Sequence, residues 1–98
     1  MEEWDDAIDE VIETLEVPFD SHLVIKKLAH RNQQRYVKAL AALVDSNSDT
    51  PFHQLHSALG RRIKIVCELR RLVGTDSRSH DMFGQNSKCQ KWSRVANR

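Results

Sequence analysis

The stretch Phe52–Leu69, FHQLHSALGRRIKIVCEL, carries a glycine in the middle of a helical pattern and three cations, Arg61, Arg62 and Lys64, just after it. Whether Gly60 is a turn or a helix interior decides how the chain is assembled. A helix-turn-helix asks for a small residue early in its first helix, a glycine in the turn and apolar residues around both. Leu55, Leu59, Val66 and Leu69 meet the apolar requirement, but His56 occupies the small position and Arg61 stands where an apolar residue would help close the angle. Placed at steps of about 100° per residue, Phe52, Leu55, Leu59, Ile63, Val66, Leu69 and Val73 form one stripe whose phase is unbroken at Gly60. A glycine inside a helix costs only about 1 kcal/mol against alanine, which a long packed face absorbs. The phase therefore predicts one helix over residues 51–73. Thr50 and Pro51 begin it, and Gly74 stops it in a left-handed cap.

Upstream, Trp4, Ile8, Val11, Ile12 and Leu15 recur at helical spacing while Glu2, Asp6, Asp9 and Glu13 fall on the other side, which predicts an acidic amphipathic helix. Val17 before Pro18 is pushed toward extended geometry and ends it. A second helix starts after Asp20 or Ser21 with Leu23, Val24 and Leu28 facing inward. After the lapse at residues 32–34 a third carries Tyr36, Val37, Leu40, Leu43 and Val44. Downstream, residues 75–86 read as a loop and 87–96 as a short helix with Cys89, Trp92 and Val95 on one face, so that Trp92 packs rather than stacks on bases.

The 98 residues make one small domain. Three glycines, two prolines and no clear alternating strand pattern favour helices throughout. The expected fold is mainly α, a compact bundle of four to five helices with an irregular C-terminal segment: an acidic helix over 1–17, a basic helical body over 18–73, and a loop with a short helix over 74–98.

Charge is divided along the chain. Residues 1–20 hold nine carboxylates and no Lys or Arg, while residues 21–98 hold all 15 cations against five carboxylates, behind a formal net charge of +1. This division implies an acidic arm and an anion-seeking body, with the arm expected to restrain anion binding by the body. No apolar run approaches a membrane span, the acidic N-terminus is unlike a signal peptide, and Cys67 and Cys89 do not form a disulfide framework, so a cytoplasmic protein with free thiols is expected.

The densest cationic window is KKLAHRNQQRYVK, residues 26–38. Phosphate binding needs cations without a set spacing. Lys26, Lys27, Arg31 and Arg35, with Arg61, Arg62 and Lys64, are therefore the candidate nucleic-acid contacts. Lys88, Lys91, Arg94 and Arg98 form a further basic patch around Trp92. His53, His56, Cys67, His80 and Cys89 lack the paired spacing of a zinc site, and His56 beside the apolar stripe reads as a hydrogen-bonding residue at the core edge. Cys67, mid-helix among apolar neighbours, is a poor nucleophile, and no phosphate loop or hydrolase motif occurs. The expectation is a non-enzymatic regulatory or accessory protein, without metal or cofactor, that contacts nucleic acid through a basic helical surface or a degenerate helix-turn-helix. The alternative is a protein-interaction module or self-associating chain that uses the acidic helix.

Overall fold

Trp4, Ala7, Ile8, Val11 and Ile12 are the buried side of helix α1 (Asp5–Glu13) and the turn before it, which leaves the carboxylates outward as the spacing predicts. The structure, a computed structural model, describes residues 1–95. After α1 the chain passes through Val17–Pro18, a cis peptide, into the two-residue strand β1 (Phe19–Asp20). Asp20 then caps helix α2 (Ser21–Arg31), its carboxylate accepting from the Leu23 backbone N–H at 2.9 Å.

Helix α3 (Gln33–Asp45) is separate from α2, because Asn32 leaves helical geometry, and its backbone N–H and side-chain amide both donate to the Leu28 carbonyl, at 2.9 and 3.1 Å. Helix α4 (Pro51–Leu69) runs straight through Gly60 with Leu55, Leu59, Ile63, Val66 and Cys67 buried. The unbroken apolar phase thus prevails over the glycine, and the left-handed turn of a helix-turn-helix does not form there. The helix is shorter than predicted. It ends at Leu69, and Arg71, not Gly74, takes the positive φ, 61°, that turns the chain out of it.

The predicted C-terminal loop and helix are instead a β-hairpin, strands β2 (Leu72–His80) and β3 (Asn86–Arg94). Ala96, the last residue of the predicted helix, lies outside the described residues. Strand β1 pairs with β3, giving an antiparallel sheet of order β1–β3–β2. The fold is accordingly α+β: among the described residues, four α-helices and a three-stranded sheet rather than a bundle of four to five helices with an irregular tail.

A packing contact anchors the hairpin. Trp92, 2% exposed, lies over Gly74, its register partner, and its indole N–H donates to Ser21 Oγ at 3.1 Å. A Cβ at position 74 would lie 2.7 Å from Trp92 Cζ3, so glycine is required there by the indole rather than by any helix cap. Trp92 is a packing residue as predicted, but on a strand. Beyond this contact the protected side of the ribbon changes phase: Ser77, Ser79, Ser87 and Cys89 are half-buried toward the tip, where Gly74 and Trp92 are protected near the base. Such twisting is usual for a two-stranded ribbon.

Candidate nucleic-acid interface

The hairpin is held against the helices at three levels. At its base Ser21 Oγ, besides accepting from Trp92, donates to the Gln90 carbonyl at 3.3 Å. Midway, the His22 ring is clasped between two serines, with Nδ1 2.9 Å from Ser79 Oγ and Nε2 3.3 Å from Ser87 Oγ. At the tip, Asp81 closes the turn by accepting from the backbone N–H groups of Gln85 and Phe83, which hold its carboxyl below the usual carboxylate range. Gly84, at φ 77°, supplies the left-handed residue that this turn needs.

The closed tip sets Met82 and Phe83 against the start of α4. Phe83 meets Phe52 edge-on at 4.8 Å and stacks on His56, which is hydrogen-bonded to Tyr36 Oη at 2.6 Å. The Tyr36 hydroxyl also reaches Met82 Sδ at 3.6 Å. Burial pushes the His56 pKa down and that of Tyr36 up. His56 is thus a half-buried hydrogen-bonding residue, as expected from its place beside the stripe.

Between the tip contact and the base, α4 and the hairpin wall a cleft of about 1260 Å³. Gly60 belongs to its lining, and an added Cβ would meet nothing within 4 Å. Arg61 and Lys64 come from the helix, one turn apart; Arg78 and Lys88 come from the ribbon, where they are direct cross-strand partners. Like charges at both spacings repel. None of the four is ion-paired among the described residues. Two carboxylates share the cleft and are otherwise engaged, Asp76 accepting from Gln90 Nε2 at 2.7 Å and Asp81 in its own turn. Both carboxylates keep their charge when bonded to neutral N–H groups, so four cations stand against two carboxylates in the cleft lining.

The other candidate residues are dispersed. Arg62, next to Arg61 but about 100° further round the helix, donates to both Asp5 oxygens, at 3.0 and 2.7 Å, which lowers the Asp5 pKa and raises its own. Arg35 lies 4.2 Å above the Trp4 ring and donates to the Glu3 carbonyl. Arg31 sits with Arg35 and Lys38 in a shallow depression at the α2–α3 junction, and Lys26 and Lys27 border a different groove. Of the seven candidates, Arg61 and Lys64 line the cleft. The sequence points to Lys88 only as part of the patch near Trp92, and to Arg78 not at all; their pairing depends on hairpin register, for which the polar residues carry no signal. Arg98 of that patch lies outside the described residues.

Two further sets of groups bear on chemistry. His53, His56, Cys67, His80 and Cys89 are not gathered: among the described residues no three His, Cys, Asp or Glu side chains are grouped to hold a metal ion. Cys67 is buried and its thiol is pushed up to about 12 by desolvation, far from a reactive thiolate. Helix α1 presents its apolar side to the chain's own core, so its outward surface is carboxylate. No helix among the described residues is long and apolar enough to cross a membrane. Comparison with protein-family models, with curated proteins and with solved structures finds no match to this chain.

Proposed function

We propose that the protein is a small, non-enzymatic nucleic-acid-binding protein that receives the phosphate backbone in the cleft between α4 and the β2–β3 hairpin. The observation that carries this reading is that two like-charged pairs, Arg61 with Lys64 on α4 and Arg78 with Lys88 on the ribbon, border one concavity, and none of the four is ion-paired among the described residues. Repulsion of this kind is relieved by an anion, and a polyanion relieves all four at once. A helix and a two-stranded ribbon are also the two element types that a duplex major groove admits. A reducing compartment such as the cytoplasm is proposed with it, supported by the free Cys67 and Cys89.

The test is fluorescence anisotropy with a labelled random duplex from about 50 to about 200 mM salt. Neutralising Arg61, Lys64, Arg78 or Lys88 to glutamine weakens binding and flattens the logarithmic salt slope by about 0.9 for each phosphate no longer neutralised. Arg62→Gln leaves the slope unchanged. An affinity absent at the lowest salt, or unmoved by all four substitutions, would overturn the reading.

A further inference from the structure

Helix α3 is the least committed element of the fold. Of its 13 residues only Tyr36 is fully buried, while Val37 and Val44 are 60% and 56% exposed. Val37, Ala41 and Val44 lie on one side at helical spacing, so the exposed apolar atoms form a strip rather than scattered points. The strip leads onto α2, where Leu23, Lys26, Lys27 and His30 share a face at the same spacing. Between the two helices lies a groove of about 650 Å³ with Leu23, Tyr36, Val37 and Met82 among its lining residues. Lys26, Lys27 and His30 border it and no carboxylate does; neither lysine is ion-paired among the described residues.

We propose that this groove docks an acidic amphipathic helix of a partner protein, whose apolar side enters the trough and whose carboxylates meet Lys26 and Lys27. The chemistry selects this occupant. A sugar-phosphate backbone would use the two lysines but leave Leu23 and Val37 nothing apolar to bury against. A second copy joined face to face would offer Lys26 and Lys27 no carboxylate, because a two-fold contact pairs the patch with itself and no carboxylate borders it. The chain's own acidic helix cannot serve in trans, since Ile8, Val11 and Ile12 are buried in its core. A partner helix with carboxylates beside its apolar stripe satisfies both features, in the helix-in-groove mode. The proposal does not depend on nucleic acid entering the cleft beside α4.

The probe is a synthetic amphipathic peptide of about five helical turns, leucine on one face and glutamate on the other, with a lysine-for-glutamate counterpart as control. Titrated into the isotope-labelled full chain, the glutamate peptide shifts the amides of Leu23, Lys26, Lys27, His30 and Val37 and binds at least about tenfold tighter than its counterpart, about 1.4 kcal/mol. The double change Lys26→Glu with Lys27→Glu reverses that preference. Val37→Glu, at an exposed position and folded by its amide spectrum, abolishes binding, whereas Val37→Leu retains it. Equal affinity for both peptides, shifts confined to other surfaces, or no binding overturns the proposal. So does duplex DNA shifting Lys26 and Lys27 in place of the peptide, or sedimentation showing a dimer that buries this face.

Discussion

The two long sides of α4 treat their charge in opposite ways. Toward α1, Arg62 is matched by Asp5, and Arg70 by Asp9 and Glu13 at 2.7 Å each, so both arginines of the seam are ion-paired and held well into the charged state. Toward the hairpin, Arg61 and Lys64 border an open cleft that Arg78 and Lys88 also border, and none of the four is ion-paired among the described residues. Arg61 and Arg62 are adjacent in sequence yet about 100° apart around the helix, and that rotation places Arg62 in an ion pair and Arg61 on the cleft. The difference teaches that acidic residues in the same chain do not screen its basic body uniformly. Asp9 and Glu13 hold Arg70, which makes α1 an electrostatic partner of one side of α4 rather than a general mask.

The largest expected effect comes from removing the wall that makes the two sides different. Trp92→Ala should cost roughly 3 kcal/mol or more, because it removes a buried indole over Gly74 together with its bond to Ser21. The hairpin amides should then lose hydrogen-exchange protection before those of α1 and α4. Simultaneous loss throughout the chain would mean that the ribbon is not a separately anchored wall. Gly74→Ala should cost about 1–3 kcal/mol by forcing the indole aside; a denaturation midpoint equal to the parent's would contradict the close approach at Cζ3.

Gly60→Ala acts in the opposite direction. With open space where the Cβ would sit, the helix should gain up to about 1 kcal/mol, and a lowered melting temperature would argue for a strained backbone at Gly60. The paired substitutions Arg62→Gln and Arg61→Gln sharpen the electrostatic contrast directly. The first should lower the melting temperature and spare duplex binding, and the second should do the reverse; a matching pair of outcomes would erase the distinction between the two sides.

The smallest expected effect concerns pH. Burial holds His56 neutral in the folded chain, while the unfolded chain takes up a proton at the ordinary value near 6.5. Because the unfolded state binds more protons below that value, stability is complete above it and declines as pH falls toward the lowered folded value. Asp81 opposes the shift, while His22 and His53 add to it. The carboxylates Asp5 and Asp81, whose pKa values are lowered, lose their contributions only below the ordinary value of 3.8, outside this window. Urea midpoints of the parent should therefore fall between about pH 7.5 and pH 5, and the fall should shrink in His56→Gln. An unchanged fall would place the titrating group elsewhere.

The four helices were legible because each carries apolar residues at helical spacing, buried in α1, α2 and α4 and only partly so in α3. The cap at Asp20, the proline start at Pro51 and the break at Asn32 are local chemistry visible in the residues themselves. The hairpin was not legible. Its ribbon is mostly Ser, Lys, Arg, Asn and Gln, its protected side switches phase partway along, and the spacing of Cys89, Trp92 and Val95 fits a helix face as well as anything. What specifies it is Trp92 seated on Gly74 and bonded to Ser21, contacts between residues 18 and 71 positions apart that no local pattern records.

The same division governs the site. Sequence alone determined that α1 is acidic and that the body carries a large excess of cations, and its helical phase favoured a passage through Gly60 that the structure then decided, because composition and phase are properties of neighbouring residues. Only the tertiary structure decided which cations are free. Whether Arg62 meets Asp5, or Arg78 lies beside Lys88 on a cleft that Arg61 also borders, depends on helix rotation, strand register and the docking of the hairpin. Charge acts through space, and the distances that set it are determined by packing rather than by order along the chain.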